Sequence, residues 1–168
     1  FRESKIQGNR SRSAFKLIEM NKKFKILRNK QSVLDLGAAP GGWSQVVSKT
    51  TKGNKIVAVD LQQMKDIDNV HFIKGDFQNT DINKKIMTYL NSKSDVVLSD
   101  MAVNTSGNKT LDSYRTGELC LNAMNLALNI LTKDGVFLSK IFMGSIFNEI
   151  NEKANKSFKK VVKYKPKS

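Results

Sequence analysis

Two charged residues of this sequence stand where strand-like apolar runs end. Asp100 directly follows one such run. Lys140 lies inside another, together with Phe137, Leu138, Ile141 and Phe142. An ammonium group in apolar surroundings needs a partner, because an isolated buried charge is strongly disfavoured. Taken alone, Lys140 can be an ordinary strand-end lysine and Asp100 a turn cap, but their positions favour side chains that face one crevice.

Three further aspartates stand at or just after the ends of strand-like runs: Asp35, Asp60 and Asp76. The carboxylate of Asp60 can accept hydrogen bonds from both hydroxyls of a ribose, and that of Asp76 from the exocyclic amine of an adenine. Any one of these aspartates can instead be a turn or cap residue. Their recurrence at successive strand ends favours a ligand that contains a nucleoside.

The loop after the first of these runs is rich in glycine. Residues 35–43 read Asp-Leu-Gly-Ala-Ala-Pro-Gly-Gly-Trp, and Gly37, Gly41 and Gly42 would let the backbone approach a ligand closely. The spacing matches neither the dinucleotide fingerprint G-x-G-x-x-G nor the phosphate-binding P-loop. S-adenosylmethionine has no phosphate and carries a cationic sulfonium, so it fits the acidic residues better than a dinucleotide does. We therefore expect it to be the cofactor.

Short β-rich runs alternate with longer helical patterns, which is typical of an α/β fold with a mostly parallel sheet and helices on both faces. Strands are predicted at residues 33–35, 56–60, 70–74, 95–99, 136–141 and 161–164. Helices are predicted at residues 43–50, 82–90, 111–131 and 146–158. We expect Asp81 to cap the second of these helices and Gly135 to turn the chain into the next strand.

A basic helix precedes the first strand, and we expect its apolar residues Phe15, Ile18 and Met20 to face the sheet. With 168 residues and 39% hydrophobic content, the chain is long enough for one core and too short for two ordinary domains. We therefore expect a single domain over residues 1–168. Within it, residues 1–28 would form a helical extension and residues 32–168 the sheet-containing core.

The net charge of +14, from 29 Lys and Arg against 15 Asp and Glu, favours a nucleic-acid partner, although a well-solvated lysine-rich surface would look the same. A single cysteine, Cys120, excludes a disulfide framework, and His71 is the only histidine, so no metal is expected. No run approaches the ~20 apolar residues of a membrane span. We expect a monomer of the cytoplasm, or of the mitochondrion in a eukaryote.

Four segments resemble the FtsJ/RrmJ-like family of ribose 2′-O-methyltransferases. They are residues 10–17, 35–45, 99–102 and 140–142, and they follow the family's order. The Pro-Gly-Gly-Trp of residues 40–43 is the most specific part of this match. The resemblance implies a Rossmann-like class I S-adenosylmethionine-dependent methyltransferase fold over essentially the whole chain. The cofactor-binding residues would then be Gly37, Gly41, Gly42, Trp43, Asp60, Asp76 and Asp100.

The family uses a Lys-Asp-Lys-Glu tetrad, and the resemblance places three of its members on Lys16, Asp100 and Lys140. The family's glutamate lies in a final antiparallel strand, after a Lys-Pro-x-Ser segment. The match to that segment begins at residues 165–168, where the sequence stops. We therefore expect the closing strand and the glutamate to be missing from this chain, and both chain ends to be incomplete.

A ribose 2′-hydroxyl is hardly ionised at neutral pH, so the site must take up its proton as the methyl group moves. Lys140 can do this when its amine is neutral, and a second cation beside a buried ammonium makes it give up its proton more easily. Lys16 can be that cation, or it can hold the hydroxyl and the adjacent phosphate. Asp100 would orient the lysine. Without the resemblance, a solvated helix face is the simpler interpretation of Lys16.

We expect Arg10 and Arg12 to contact the RNA backbone, in a rim that also includes Lys22, Lys23, Lys25, Lys109 and Arg115. Such contacts carry little sequence information. The most similar family members methylate a uridine of large-subunit ribosomal RNA, so we expect ribosomal RNA, in the subunit or its precursor, as the partner. Alternatives are a transfer RNA or messenger-cap 2′-O-methyltransferase and a non-catalytic RNA-binding relative. A nicotinamide-dependent oxidoreductase is disfavoured by the glycine spacing.

Overall fold

The computed structural model describes residues 8–144 and 146–168. Its strands are β1 (Ser32–Leu36), β2 (Lys55–Asp60), β3 (Val70–Lys74), β4 (Ser94–Ser99) and β5 (Leu131–Ser139). Its helices are α1 (Ser13–Phe24), α2 (Gly42–Thr50), α3 (Thr80–Tyr89), α4 (Lys109–Ile130) and α5 (Phe147–Ser157). The strands form one sheet in the order β3-β2-β1-β4-β5, and every neighbouring pair is parallel. The predicted α/β architecture is confirmed.

The central strands are apolar along their length because helices cover both faces of the sheet. Successive side chains of a strand point to opposite faces, yet adjacent Val33 and Leu34 are both fully buried. On one face, Leu17 of α1 and Val47 of α2 pack with Val33. On the other, α3 and α4 pack with Leu34, and α5 packs along the outer side of α4. The carboxyl ends of the strands remain as the uncovered edge that can hold a site.

The N-terminal helix is part of this core. Ala14 and Leu17 are fully buried and Met20 is 7% exposed, whereas Phe15 and Ile18 are only half-buried. The prediction was therefore right for Met20 and also for Ile18, which packs against this core from a partly buried position, and wrong for Phe15. The three buried residues recur every third position and form one stripe, and the small side chain of Ala14 lets the helix approach the sheet closely. Residues 1–7 of the predicted extension lie outside the described residues.

Residues 161–164, predicted as a sixth strand, are irregular. The hydroxyl of Tyr164 donates to Oε2 of Glu19 in α1 at 2.6 Å, and the backbone amides of Lys167 and Ser168 also donate to the Glu19 carboxylate. These bonds, that of Tyr164 foremost, lower the pKa of Glu19 to about 2. A β-rich run becomes a strand only where a neighbouring strand offers hydrogen-bond partners, and here the segment binds a helix instead.

The N-cap of α3 also differs from the prediction. Asn79, not Asp81, is the cap: its side-chain oxygen accepts hydrogen bonds from the backbone amides of Asp81 and Ile82. Asp81 lies in the first turn, where its negative charge interacts favourably with the helix dipole. Asparagine and aspartate both suit a helix start, so the prediction placed the cap two residues too late.

Strand β5 begins directly after α4, earlier than predicted. Its ladder pairs Ser94 with Leu131 and Val96 with Val136, so residues 132–135 lie opposite the single residue Asp95. Gly135 is therefore inside the irregular part of the strand and not in a turn before it. The regular part of β5, which leads to Lys140, begins where the prediction placed it.

We expect Leu17→Ala to destabilise the protein by about 2–5 kcal/mol, because it leaves a cavity between α1 and the sheet. Urea unfolding at equilibrium measures this change. The matched control is Lys22→Ala, which changes an exposed residue of the same helix and should alter stability by no more than about 0.5 kcal/mol. Equal effects of the two substitutions would show that α1 is not part of the core.

Candidate active site

The candidate reactive residues collect at the carboxyl end of the sheet. Leu36 of β1 pairs with Ser99 of β4, and Ser99 pairs with Ser139 of β5. The backbone amide of Lys140 donates to the carbonyl of Ser99 at 2.8 Å. Asp100 and Lys140 are therefore neighbours just beyond the ends of two adjacent parallel strands.

The positive charges of both predicted lysines, Lys16 and Lys140, act on the carboxylate of Asp100. Burial raises the pKa of Asp100, while the positive charge of Lys140, a hydrogen bond from Ser13 and the positive charge of Lys16 act in the opposite direction. Lys16 and Ser13 belong to α1, so the N-terminal helix reaches the same carboxylate as the end of β5. Among these described residues, neither amine is within the 4.0 Å of a direct ion pair with Asp100. Lys16, Asp100 and Lys140 therefore lie in one region, but neither lysine forms a direct ion pair with Asp100.

The glycine loop between β1 and α2 lies over the end of β2. The amides of Gly37 and Ala38 donate to the carbonyl of Val59 at 2.8 and 3.1 Å. The amide of Ala39 donates to Oδ2 of Asp60 at 2.9 Å. These bonds join the loop to the strand end that carries the predicted ribose-binding aspartate.

Two glycines of this loop have backbone conformations that other residues rarely adopt. Gly37 has a φ of 69° and Gly41 a φ of 113°. A Cβ on Gly37 would collide with the side chain of Met101, and one on Gly42 with the hydroxyl of Ser11. Side chains of the protein itself therefore use the close approach to these glycines that the sequence predicts, while a role in ligand binding stays a prediction.

Asp60 and Asp76 follow the ends of β2 and β3 as expected from the sequence. Oδ1 of Asp60 accepts from the amide of Gln62 at 2.8 Å, and Oδ1 of Asp76 accepts from the amide of Gln78 at 2.9 Å. A carboxylate oxygen can accept a second hydrogen bond. The backbone bonds thus fix the orientation of both carboxylates and leave them able to bind a hydroxyl or an amine.

A further carboxyl, Asp35, had no assigned role in the sequence. It is 1% exposed and accepts a hydrogen bond from Oγ of Ser44 at 2.7 Å. Burial raises the pKa of Asp35 to about 7, Ser44 opposes this rise, and the negative charges of Asp100 and Asp60 add to it. A cation bound nearby would stabilise the ionised form of Asp35. The sequence shows an aspartate inside an apolar strand, but no sequence pattern indicates that Ser44 binds it.

Comparison with known proteins decides the family. The model of the FtsJ-like methyltransferases matches residues 9–168. The chain belongs to this family. A Pelagibacter ubique protein named ribosomal RNA large subunit methyltransferase E is 52% identical over 167 residues, 99% of this chain and 82% of the relative. A Rickettsia rickettsii protein of the same name is 42% identical over 172 residues, 99% of this chain and 76% of the relative.

A solved structure supports the same assignment. A protein from Plasmodium falciparum assigned as a ribosomal RNA methyltransferase has a TM-score of 0.85 and 34% identity, covering 94% of this chain and 92% of that one. The resemblance inferred from the sequence is therefore confirmed at the level of family, fold and enzyme class.

In this FtsJ-like methyltransferase, Trp43 anchors α1 to the start of α2. Its side chain is 4% exposed and packs with Ala14 and Leu17, and its Nε1 donates to the carbonyl of Ser13 at 2.8 Å. The resemblance to the family implies that Trp43 contacts the cofactor. Because the ring is covered by α1, any cofactor contact falls to the backbone.

The two arginines expected to bind RNA have different surroundings. The guanidinium of Arg10 donates to the backbone carbonyls of Pro40, Lys65 and Asp66. Arg12 is exposed beside the start of α1. Two arginines in one basic segment are equivalent in sequence, and only the fold distinguishes them.

Other sequence features fall outside the site. Cys120 is buried in α4, where burial raises the pKa of its thiol. His71 stacks on Tyr89 with a centroid distance of 4.1 Å. Within residues 8–144 and 146–168, no cluster of His, Cys, Asp or Glu side chains is arranged to hold a metal ion. None of the helices in these ranges has the length and apolar character needed to cross a membrane.

We expect Asp35→Asn to change how stability depends on pH. The folded-state pKa of Asp35, about 7, exceeds the ordinary value of 3.8, so the folded protein holds a proton that the unfolded chain releases between these values. Wild-type stability should therefore fall as pH rises from about 4 to about 7. The asparagine side chain has no such proton to release. The stability of the variant relative to wild type should therefore rise by up to about 4 kcal/mol between pH 4 and pH 7.

Urea unfolding at several pH values measures the difference. Asp134→Asn, which removes the charge of an exposed aspartate, serves as the control. A stability difference between Asp35→Asn and wild type that stays constant from pH 4 to pH 8 would contradict a buried, protonated Asp35.

Proposed function

We propose that this protein transfers the methyl group of S-adenosylmethionine to the 2′-hydroxyl of a uridine ribose in large-subunit ribosomal RNA. Family membership supports methyl transfer, and the names of the two bacterial relatives support the RNA. The observation that carries the proposal is the position of Asp100: burial raises its pKa, and the positive charges of Lys140 and Lys16, from distant parts of the sequence, both oppose that rise.

The residues around the glycine loop fit S-adenosylmethionine. Asp60 has free acceptor capacity for the ribose hydroxyls, and Asp76 for the adenine amine. Backbone contacts would come from the loop, at Gly37, Gly41, Gly42 and Trp43. The carboxyl of Asp35 makes the site suited to a cation, because burial and the negative charges of Asp100 and Asp60 disfavour its ionised form until a positive charge is bound nearby. When bound, the cofactor supplies an electrophilic methyl group on a cationic sulfonium.

Lys140 is the residue that we assign to the proton of the attacking hydroxyl. Its neutral amine would accept the 2′-hydroxyl proton as the oxygen attacks, and it would become an ammonium. Asp100 faces that ammonium and would stabilise it, which favours proton transfer in the forward direction. Lys16 approaches from α1 and would hold the hydroxyl and the neighbouring phosphate. The protein thus supplies a base, an orienting carboxylate and a cationic clamp.

Positioning accounts for the rest of the rate increase. Direct displacement needs the oxygen, methyl carbon and sulfur nearly in line, and fixing such a geometry can lower a barrier by several kcal/mol. Asp100 and Lys140 are held by the paired ends of β4 and β5, while Lys16 is held by a helix with a buried face. Rigid elements on two sides of the site therefore restrict where a ribose can lie.

The distribution of positive charge indicates which surface would face the substrate. A net charge of +14 suits a partner with many phosphates, and exposed Arg12, Lys109 and Arg115 lie on segments that adjoin the site. We propose that the protein acts as a monomer on the large subunit or its precursor. Its location would be that of the ribosome, the cytoplasm of a bacterium or the mitochondrion of a eukaryote.

We expect Lys140→Ala to lower methyl transfer by at least about 100-fold, because the hydroxyl loses the group that takes its proton. Binding of S-adenosylhomocysteine, measured by calorimetry, should be unchanged. The control is Lys133→Ala, an exposed lysine of β5 that should leave both measurements at wild-type values. A Lys140→Ala variant with full transferase activity would remove this assignment.

The target is tested with a panel of RNAs and a methyl-labelled donor. We expect label in unmodified large-subunit ribosomal RNA or in the subunit itself, at the 2′-oxygen of a uridine after nuclease mapping. Label in transfer RNA or in a messenger cap, with none in ribosomal RNA, would overturn the target but keep the enzyme class. The absence of label in every RNA, despite cofactor binding, would overturn the enzymatic proposal.

A further inference from the structure

We propose that Arg10 is a positioning residue for the cofactor, and that it clamps together the two loops that enclose the methyl donor. It would not act mainly as an RNA contact. This inference rests on the proposed use of S-adenosylmethionine at the glycine loop. It reassigns one member of the basic segment and leaves Arg12 as the RNA-facing member.

The guanidinium of Arg10 joins two separate loops. Its Nη1 donates to the carbonyl of Pro40 at 3.2 Å and to that of Lys65 at 2.6 Å. Its Nη2 donates to the carbonyl of Asp66 at 2.7 Å. Pro40 belongs to the loop after β1, whereas Lys65 and Asp66 belong to the loop after β2. One side chain thus joins the glycine loop to the loop that follows Asp60, the predicted ribose-binding residue.

The rest of Arg10 also lies on the glycine loop. Its backbone amide donates to Oε1 of Gln45 in α2 at 3.1 Å. A Cβ on Gly41 would come within 3.2 Å of Cδ of Arg10 and within 2.9 Å of Ile67, so the glycine is what allows this close packing. The neighbouring Ser11 lies against Gly42 in the same way. The segment before α1 therefore covers the end of the glycine loop and the start of α2.

Arginine is suited to this role and lysine is not. A guanidinium presents five N–H donors in a planar fork, so it can bind several carbonyls at fixed angles, and its positive charge strengthens each bond. Without it, the largely exposed loop after β2 would lose its side-chain link to the glycine loop, and cofactor binding itself would have to order it. That ordering carries an entropic cost, which weakens binding.

The same hydrogen bonds limit what Arg10 can offer to RNA. Nη1 carries two hydrogens and both have carbonyl acceptors, so only Nε and one hydrogen of Nη2 are left. A bidentate grip on a phosphate would have to break the clamp. Arg12 is exposed and lies two residues along the chain, so it can meet a phosphate without such a cost.

The test compares Arg10→Ala and Arg10→Lys with Arg12→Ala and with Arg28→Ala, an exposed arginine far from the loop in sequence. We expect Arg10→Ala to raise the Kd for S-adenosylhomocysteine about tenfold, since charged hydrogen bonds are lost from both loops. Arg10→Lys should restore only part of the affinity. The KM for RNA at saturating donor, and the salt dependence of RNA binding, should stay at wild-type values in both.

Arg12→Ala should show the opposite pattern. Its KM for RNA should rise, the slope of log Kd against log salt should fall by about one unit, and the affinity for S-adenosylhomocysteine should not change. Arg28→Ala should match wild type in all of these measurements. The split between the two neighbouring arginines distinguishes a clamp from a general loss of positive charge.

Three results would overturn the clamp. The first is a wild-type Kd for S-adenosylhomocysteine in Arg10→Ala, and the second is a raised RNA KM and a reduced salt slope in that variant. The third is a lower melting temperature with unchanged cofactor affinity below the transition, which would mean a structural role only. If wild type itself fails to bind S-adenosylhomocysteine, the clamp and the proposed cofactor fail together. Cofactor binding without methylation of any RNA would contradict the proposed function and leave the clamp standing.

Discussion

The parallel pairing of β4 with β1 on one side and β5 on the other determines where Asp100 and Lys140 lie. Parallel strands end at the same edge, so the residues that follow them meet there whatever their distance in sequence. Asp100 and Lys140 come together for this reason. Lys16 reaches the same edge by a different route, because α1 packs its buried face on the sheet and is fixed at its start by the indole of Trp43.

Two carboxyls at the site are buried or half-buried, and neighbouring groups offset the free-energy cost of burying them. Burial disfavours the charge of both Asp35 and Asp100, and the negative charge of Asp100 raises the pKa of Asp35 further. Lysines compensate Asp100, while Ser44 and a proton compensate Asp35. A cation bound beside Asp35 would lower its pKa, which is the electrostatic change we expect from the proposed sulfonium cofactor.

Much of this arrangement could be predicted from sequence because it follows from local patterns. Apolar runs covered on both faces identify the strands, and the glycine spacing identifies the loop. The failures have a common cause, which is that they depend on tertiary partners. Residues 161–164 have strand-like composition, but Tyr164 binds Glu19 of a helix. Phe15 is only half-buried because the adjacent Ala14 takes the core-facing position.

The convergence of two amines on one carboxylate can be measured directly. Carbon-13 NMR titration of the Asp100 carboxyl should be compared in wild type, Lys16→Met and Lys140→Met, each of which removes a charge but keeps a long side chain. We expect the pKa of Asp100 to rise in both variants, because each lysine favours the ionised carboxylate. An unchanged pKa of Asp100 in either variant would show that this lysine lies elsewhere, and would contradict the site described above.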